Sequence, residues 1–124
     1  MPTTLEVGRA GEEAALRYLQ RLGFRLLHRN LRLGRLGELD LVLRQGPVLV
    51  FAEVKARIEG LTLGGFENIT QAKQRKLWQL GEAYLQRHGG DHQAVRFDAV
   101  EVVFRDTALR RHEVHHLPDA FREA

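Results

Sequence analysis

Apolar residues at Val7, Ala10, Gly11, Ala14, Tyr18 and Leu22 recur with the spacing of one helix face. A capping threonine at position 3 or 4 precedes them, Glu6 stands in the first turn, and Gly23 ends the run. "FRLLHRNLRL" then reads as a short strand closed by "GRLG". Two clearer strands, "ELDLVLR" and "VLVFAEVK", flank Gln45-Gly46-Pro47, a hairpin turn signal. A Gly-rich loop, "EGLTLGGFEN", leads to Thr70, the expected cap of a second long helix ending at His88-Gly89-Gly90. "AVRFDAVEVVF" is another strand and "HEVHHL" a last one. This order (α-β-β-β-α-β-β) predicts an α/β domain around one mixed central sheet flanked by helices, because a crossover helix implies a parallel neighbour.

The period of two within the hairpin assigns faces. Leu39, Leu41 and Leu43 point one way in the first arm, and Glu38, Asp40 and Val42 the other. In the second arm Val48, Val50, Ala52 and Val54 share one face; Leu49 and Phe51 share the other, and Glu53 and Lys55 continue that second row. A strand apolar on both faces is central and covered. An exposed Glu-Lys pair would add only about 0.2 to 1 kcal/mol. A half-buried one costs desolvation energy that apolar residues avoid. With Glu38 and Asp40 across the turn, the patch holds three carboxylates for one lysine. Clustered carboxylates repel unless a cation sits among them, and their oxygens are the ligands of Mg²⁺.

Composition narrows the chemistry. The 124 residues, 44% hydrophobic and 28% charged, suit a single globular domain spanning 1–124. No run approaches the roughly 20 apolar residues that span a bilayer, and the opening residues are not a secretory leader. A cytoplasmic protein without membrane attachment is expected. The absence of cysteine excludes disulfides, thiolate zinc sites and Cys nucleophiles, so a metal must be held by oxygen or imidazole. The net charge is +3, and all basic residues except Lys55, Lys73 and Lys76 are arginines. The guanidinium fork suits phosphate, although a GC-rich genome or a thermophile also favours arginine.

The residues therefore point to metal-assisted phosphodiester hydrolysis. Asp40 and Glu53 would hold Mg²⁺ or Mn²⁺, which keeps several waters and accepts a substrate phosphate. Lys55, on the face of Glu53, would orient the attacking water or stabilise the transition state. In the second helix the apolar row Ile69, Ala72, Leu80, Ala83 and Tyr84 contains Lys73 and Lys76 in its own sector. Lys76 is expected to snorkel and Lys73 to face a bound phosphate. Arg57, just past Lys55, is expected on the DNA backbone, and Arg96 and Asp98 in an in-strand ion pair. The cluster His112, His115 and His116 has no helical metal spacing and is expected at the surface, as are His88 and His92. Gly8 and Gly11 lie within a helix, so they form no phosphate loop. Trp78 and Leu85 share a flank of the second helix and suggest a homodimer contact.

On the helical wheel Glu12 shares a row with Ala15, Leu16 and Leu19, whereas Glu13 lies over Arg17 at i, i+4 and is the solvated, paired acid. The motifs "GRAGEEAALRYLQRLGFRLLHRNLR", "GELDLV", "VFAEVKAR" and "RFDAVEV", which cover nearly the whole chain, resemble the YraN-type family of small bacterial proteins. That family is similar to the PD-(D/E)XK nuclease superfamily, most of all to its archaeal Holliday junction resolvase branch. The resemblance implies a restriction-endonuclease-like core, with Asp40 and Glu53 as metal ligands, Lys55 as catalytic lysine and Glu12 as the helix carboxylate supporting the metal. Gly37-Glu38-Leu39-Asp40 replaces the literal Pro-Asp, and Ala56 stands where many relatives carry Thr. Two functions follow: an Mg²⁺-dependent endonuclease acting on branched or damaged DNA, or a catalytically idle nuclease-fold protein that binds nucleic acid or a partner.

Overall fold

A computed structural model of the chain describes residues 1–61, 69–89 and 94–122. Thr3 caps helix α1 (Thr4–Arg21). Its hydroxyl accepts the Glu6 N–H at 3.1 Å, and the Glu6 carboxylate accepts the Thr3 N–H at 2.9 Å, a reciprocal capping box. Gly23, with φ of 92°, turns the chain into β1 (Arg25–Arg32). The hairpin β2 (Glu38–Gln45) and β3 (Val48–Ile58) follows. Thr70 accepts the Lys73 N–H and opens α2 (Gln71–His88), and β4 (Ala94–Phe104) and β5 (His112–Leu117) complete the chain. Most of the predicted Gly-rich loop, together with Gly90 and His92, lies outside the described residues.

One five-stranded sheet runs β1-β2-β3-β4-β5. Only β3 and β4 pair in parallel, the register running from Val48↔Ala94 to Ile58↔Phe104, as the crossover through α2 requires. The architecture is the α/β arrangement expected, with helices and strands in the expected order along the chain. Each face carries its own core. Val7, Ala15, Leu16 and Leu19 of α1 pack on Leu41, Leu43, Val50, Ala52, Val100 and Val102. Leu77, Leu80 and Tyr84 of α2 pack on Val42, Leu49, Phe51, Phe97 and Ala99. β3 is thus covered on both faces, as its apolar rows predicted. Gly11 allows the close approach of α1: a Cβ there would stand 2.3 Å from the Ala56 Cβ.

Five expectations change. In α1 the buried row is Val7, Gly11, Ala15, Leu16 and Leu19, and Leu22 is exposed instead of closing the stripe. Leu39 packs in the α2-side core instead of sharing the face of Leu41 and Leu43, so the alternation breaks at Asp40. In α2 the buried row is Leu77, Leu80, Gly81 and Tyr84, and Ala72 is exposed. Trp78 and Leu85 are half-buried against the α2-side core, with the Trp78 ring 4.5 Å from that of Phe97. The flank that suggested a dimer contact is thus half-buried against the protein's own sheet, and Trp78 also lines a surface groove. His116 is not a surface residue: its side chain is 7% exposed, packed edge-on against Tyr18 and Phe24, and its Nε2 lies 2.8 Å from the buried Asp98 carboxylate. His112 and His115 are exposed. The Arg96–Asp98 in-strand pair is present, with two contacts of 2.7 and 2.9 Å.

Candidate active site

The β2–β3 ladder runs from Gln45↔Val48 to Leu41↔Ala52, one step short of Asp40 and Glu53. Past that pair the Asp40 carboxylate takes the place of a ladder carbonyl and accepts the Val54 N–H at 2.9 Å. This local opening explains the displaced Leu39. It also lets groups from both layers of helix reach the same carboxylates. Glu53 is only 7% exposed, and the charge of the half-buried Asp40 acts on its carboxyl.

Lys73 reaches Glu53 from α2, with its Nζ 3.5 Å from Oε1. Its Nζ stands on the α2 side because Lys73 is one turn before Leu77 in the buried row. Lys55, two residues along β3 from Glu53, acts on the same carboxylate through its charge. Glu12 approaches Asp40 from α1, placed there by the tight Gly11–Ala56 contact. Asn30 of β1, at φ of 51°, lies by Glu12 and favours its charged form. Sequence reasoning assigned Asn30 no role. Its only signal was an amide inside a strand, the residue type that tolerates a left-handed backbone. Arg57 is beside the site instead of in it, paired to Glu101 of β4 at 3.4 Å. Lys76 lays its stem near Gly37, the snorkelling expected of it.

The electrostatics follow from burial. Desolvation pushes the Glu53 carboxyl up to about 7, the Asp40 charge adds to this, and Lys73 and Lys55 oppose it. Desolvation also raises Asp40, against the Val54 N–H and Lys73, which pull it down. Glu12 is raised first by burial and then by the charge of Asp40, with Asn30 opposing. Asp40, Glu53 and Glu12 are thus held in a setting that disfavours three negative charges, and Glu38 adds a fourth nearby. Among the described residues no three acidic or histidine side chains converge closely enough to form a closed metal cage. A buried and a half-buried carboxylate on neighbouring strands do fit a small divalent cation that retains most of its water. The main surface grooves, of about 420 and 330 Å³, are lined by neither Asp40 nor Glu53.

The uncharacterised protein family UPF0102 matches residues 11–102, a span containing Glu12, Asp40, Glu53, Lys55 and Lys73. A UPF0102 protein of Anaeromyxobacter dehalogenans (strain 2CP-C) is 44% identical over 115 residues, 93% of this chain and 83% of the relative. One from Symbiobacterium thermophilum is 48% identical over 97 residues, 77% and 80% of the two chains. The UPF0102 protein YraN of Escherichia coli (strain SMS-3-5 / SECEC) is 37% identical over 121 residues, 98% and 88% of the two chains. With the family pattern running from the α1 contact through the carboxylate pair into β4, and relatives alike over most of their length, this chain belongs to the UPF0102 (YraN) family.

Proposed function

We propose that the protein is a divalent-metal-dependent endonuclease of the PD-(D/E)XK type that hydrolyses DNA phosphodiester bonds, with branched or damaged DNA as its substrate class. The observation that carries this reading is the pairing of the buried Glu53 with the half-buried Asp40 at the opened end of the β2–β3 ladder, with Lys73 in contact with Glu53 and Lys55 acting on it through charge. A purely structural patch would gain nothing from these buried charges, since apolar side chains of similar volume serve stability better. Asp40 and Glu53 would hold the ion. Mg²⁺ or Mn²⁺, when bound, supplies Lewis acidity toward water and the phosphate oxygens.

The chain's own residues do the rest. Glu12 accepts hydrogen bonds on the α1 side and orients water toward the pair. Lys55 presents a charge where negative charge develops in the transition state. Lys73 neutralises Glu53 and becomes available to a phosphate, and Arg57, released from Glu101, would meet the DNA backbone. One observation favours the second reading, an idle nuclease-fold binding protein: the Lys73 ammonium stands 3.5 Å from Glu53, where it competes with a cation for that carboxylate. Nicking of branched, flapped and linear DNA with Mg²⁺ or Mn²⁺ separates the two. Wild type should nick at least one branched substrate, and Asp40→Asn should abolish both the nicking and the calorimetric heat of Mn²⁺ binding. If wild type cuts nothing under either metal, the nuclease reading fails.

A further inference from the structure

A groove of about 330 Å³ separates the flank of α1 opposite Glu12 from the turn between β4 and β5. Its floor is apolar, made by Ala10, Ala14, Phe104 and Leu109. Its rim is cationic: Arg17 and Arg21 come from α1, and Arg110 from the turn. Arg21 and Arg110 have no ion-pair partner among the described residues. The one acid on the rim, Glu13, is already held by Arg17 at 3.0 Å and Arg29 at 2.9 Å.

Arg21 has an ordinary explanation, since a cation in the last turn of a helix complements its dipole. Arg110 does not. The turn that carries it is organised by Asp106, whose carboxylate accepts the N–H groups of Arg110 and Arg111 at 3.0 and 3.2 Å and the Arg111 Nε at 3.2 Å. Leu109 sits at φ of 57°, a left-handed conformation that a leucine adopts only when its surroundings enforce it. The result is that Leu109 turns inward against the α1-side core, and the next residue, Arg110, is set on the rim above it. Arg17 and Arg21 are one helical turn apart, so the rim repeats its charge along the groove. A single small anion would use only part of that row. A repeating polyanion with apolar sugar faces matches both rim and floor, and the guanidinium fork matches its phosphates.

We propose that this groove is a second nucleic-acid contact, which grips the phosphodiester backbone of DNA away from the Asp40–Glu53 pair. The inference rests on the nuclease reading for the identity of the polyanion. The test is binding of a four-way DNA junction in Ca²⁺ across a salt series by wild type and by the Arg21→Glu/Arg110→Glu double variant. Loss of two phosphate contacts should lower the slope of log affinity against log salt by about 2, and weaken binding about tenfold or more. The Mn²⁺ heat should not change, and the melting temperature should fall only by the small loss of the helix-end charge at Arg21. The Arg21→Lys/Arg110→Lys pair should keep most of the affinity, and an Arg→Gln pair serves if the Glu pair melts early. Wild-type affinity and slope in the double variant would overturn the groove while leaving cleavage untouched. A wild type that binds the junction through these arginines but never cuts would overturn the nuclease reading alone, and one that binds no DNA would overturn both.

Discussion

A buried carboxylate beside a half-buried one needs positive charge, and Glu53 has two sources of it. Lys73 is within 3.5 Å and is the direct partner; Lys55 shares the strand face and contributes through charge alone. This division separates neutralisation from catalysis. Lys55→Met should fold, bind Mn²⁺ and retain DNA, yet nick about 100- to 1000-fold more slowly, the usual cost of removing one preorganised charge-stabilising donor. Lys73→Met should instead melt earlier without metal, since it leaves a buried acid uncompensated, and Mg²⁺ should restore its stability. Loss of the Lys73 ammonium raises the Glu53 pKa further, so Lys73→Met should bind Mn²⁺ with a steeper pH dependence than wild type, weaker near neutral pH and gaining as pH rises and the proton leaves. Calorimetry and melting curves with and without metal check both variants. Equal nicking by Lys55→Met and wild type would remove Lys55 from the mechanism.

At the scale of elements, α1 matters to the site through one contact. Gly11 meets Ala56 so closely that any Cβ must push the helix outward, and Glu12 moves with it. Gly11→Ala should therefore cost about 1 to 3 kcal/mol by overpacking, and Ala56→Gly in the same chain should recover much of it. Chemical denaturation of the two single variants and the double variant measures that coupling. Gly11 was legible as a member of the helical stripe, but its role was not. The stripe records which side of a helix is buried, and the distance of approach depends on what the sheet presents opposite.

For the molecule as a whole, the β4–β5 edge is tied down by a polar cluster on the face away from Glu53. The Asp98 carboxylate is fully buried and accepts from Arg96, from the Asp119 N–H at 2.9 Å and from His116. Desolvation alone would raise its pKa, but these hydrogen bonds outweigh it and hold Asp98 below the ordinary aspartate value of 3.8. A lowered folded-state pKa means that the stabilisation is complete above about pH 4 and is lost as pH falls through the folded value. Asp98→Asn should cost about 3 kcal/mol near neutral pH by breaking a buried pair, and should flatten the acid limb of a melting-temperature profile. An unchanged acid limb would show that other carboxylates govern acid unfolding.

By itself the sequence determined the element order, the covered central strand and the pairing of Asp40 with Glu53 and Lys55, because local periodicity and turn chemistry express these directly. It also placed Lys73 on the inward sector of α2, since a helical wheel needs no tertiary knowledge. Only the tertiary structure decided the break in alternation at Asp40, which arises where the β2–β3 ladder opens and a side chain replaces a ladder carbonyl. The same holds for His116 and Trp78: an isolated strand or helix exposes both, and each is covered by residues distant in sequence, His116 by Tyr18, Phe24 and Asp98, Trp78 by Phe97. Asn30 reaches Glu12 for a like reason, a backbone turned left-handed in β1 and a helix lowered onto the sheet by Gly11. Periodicity reports which way a residue faces within its own element, and only packing between elements supplies the partner it meets there.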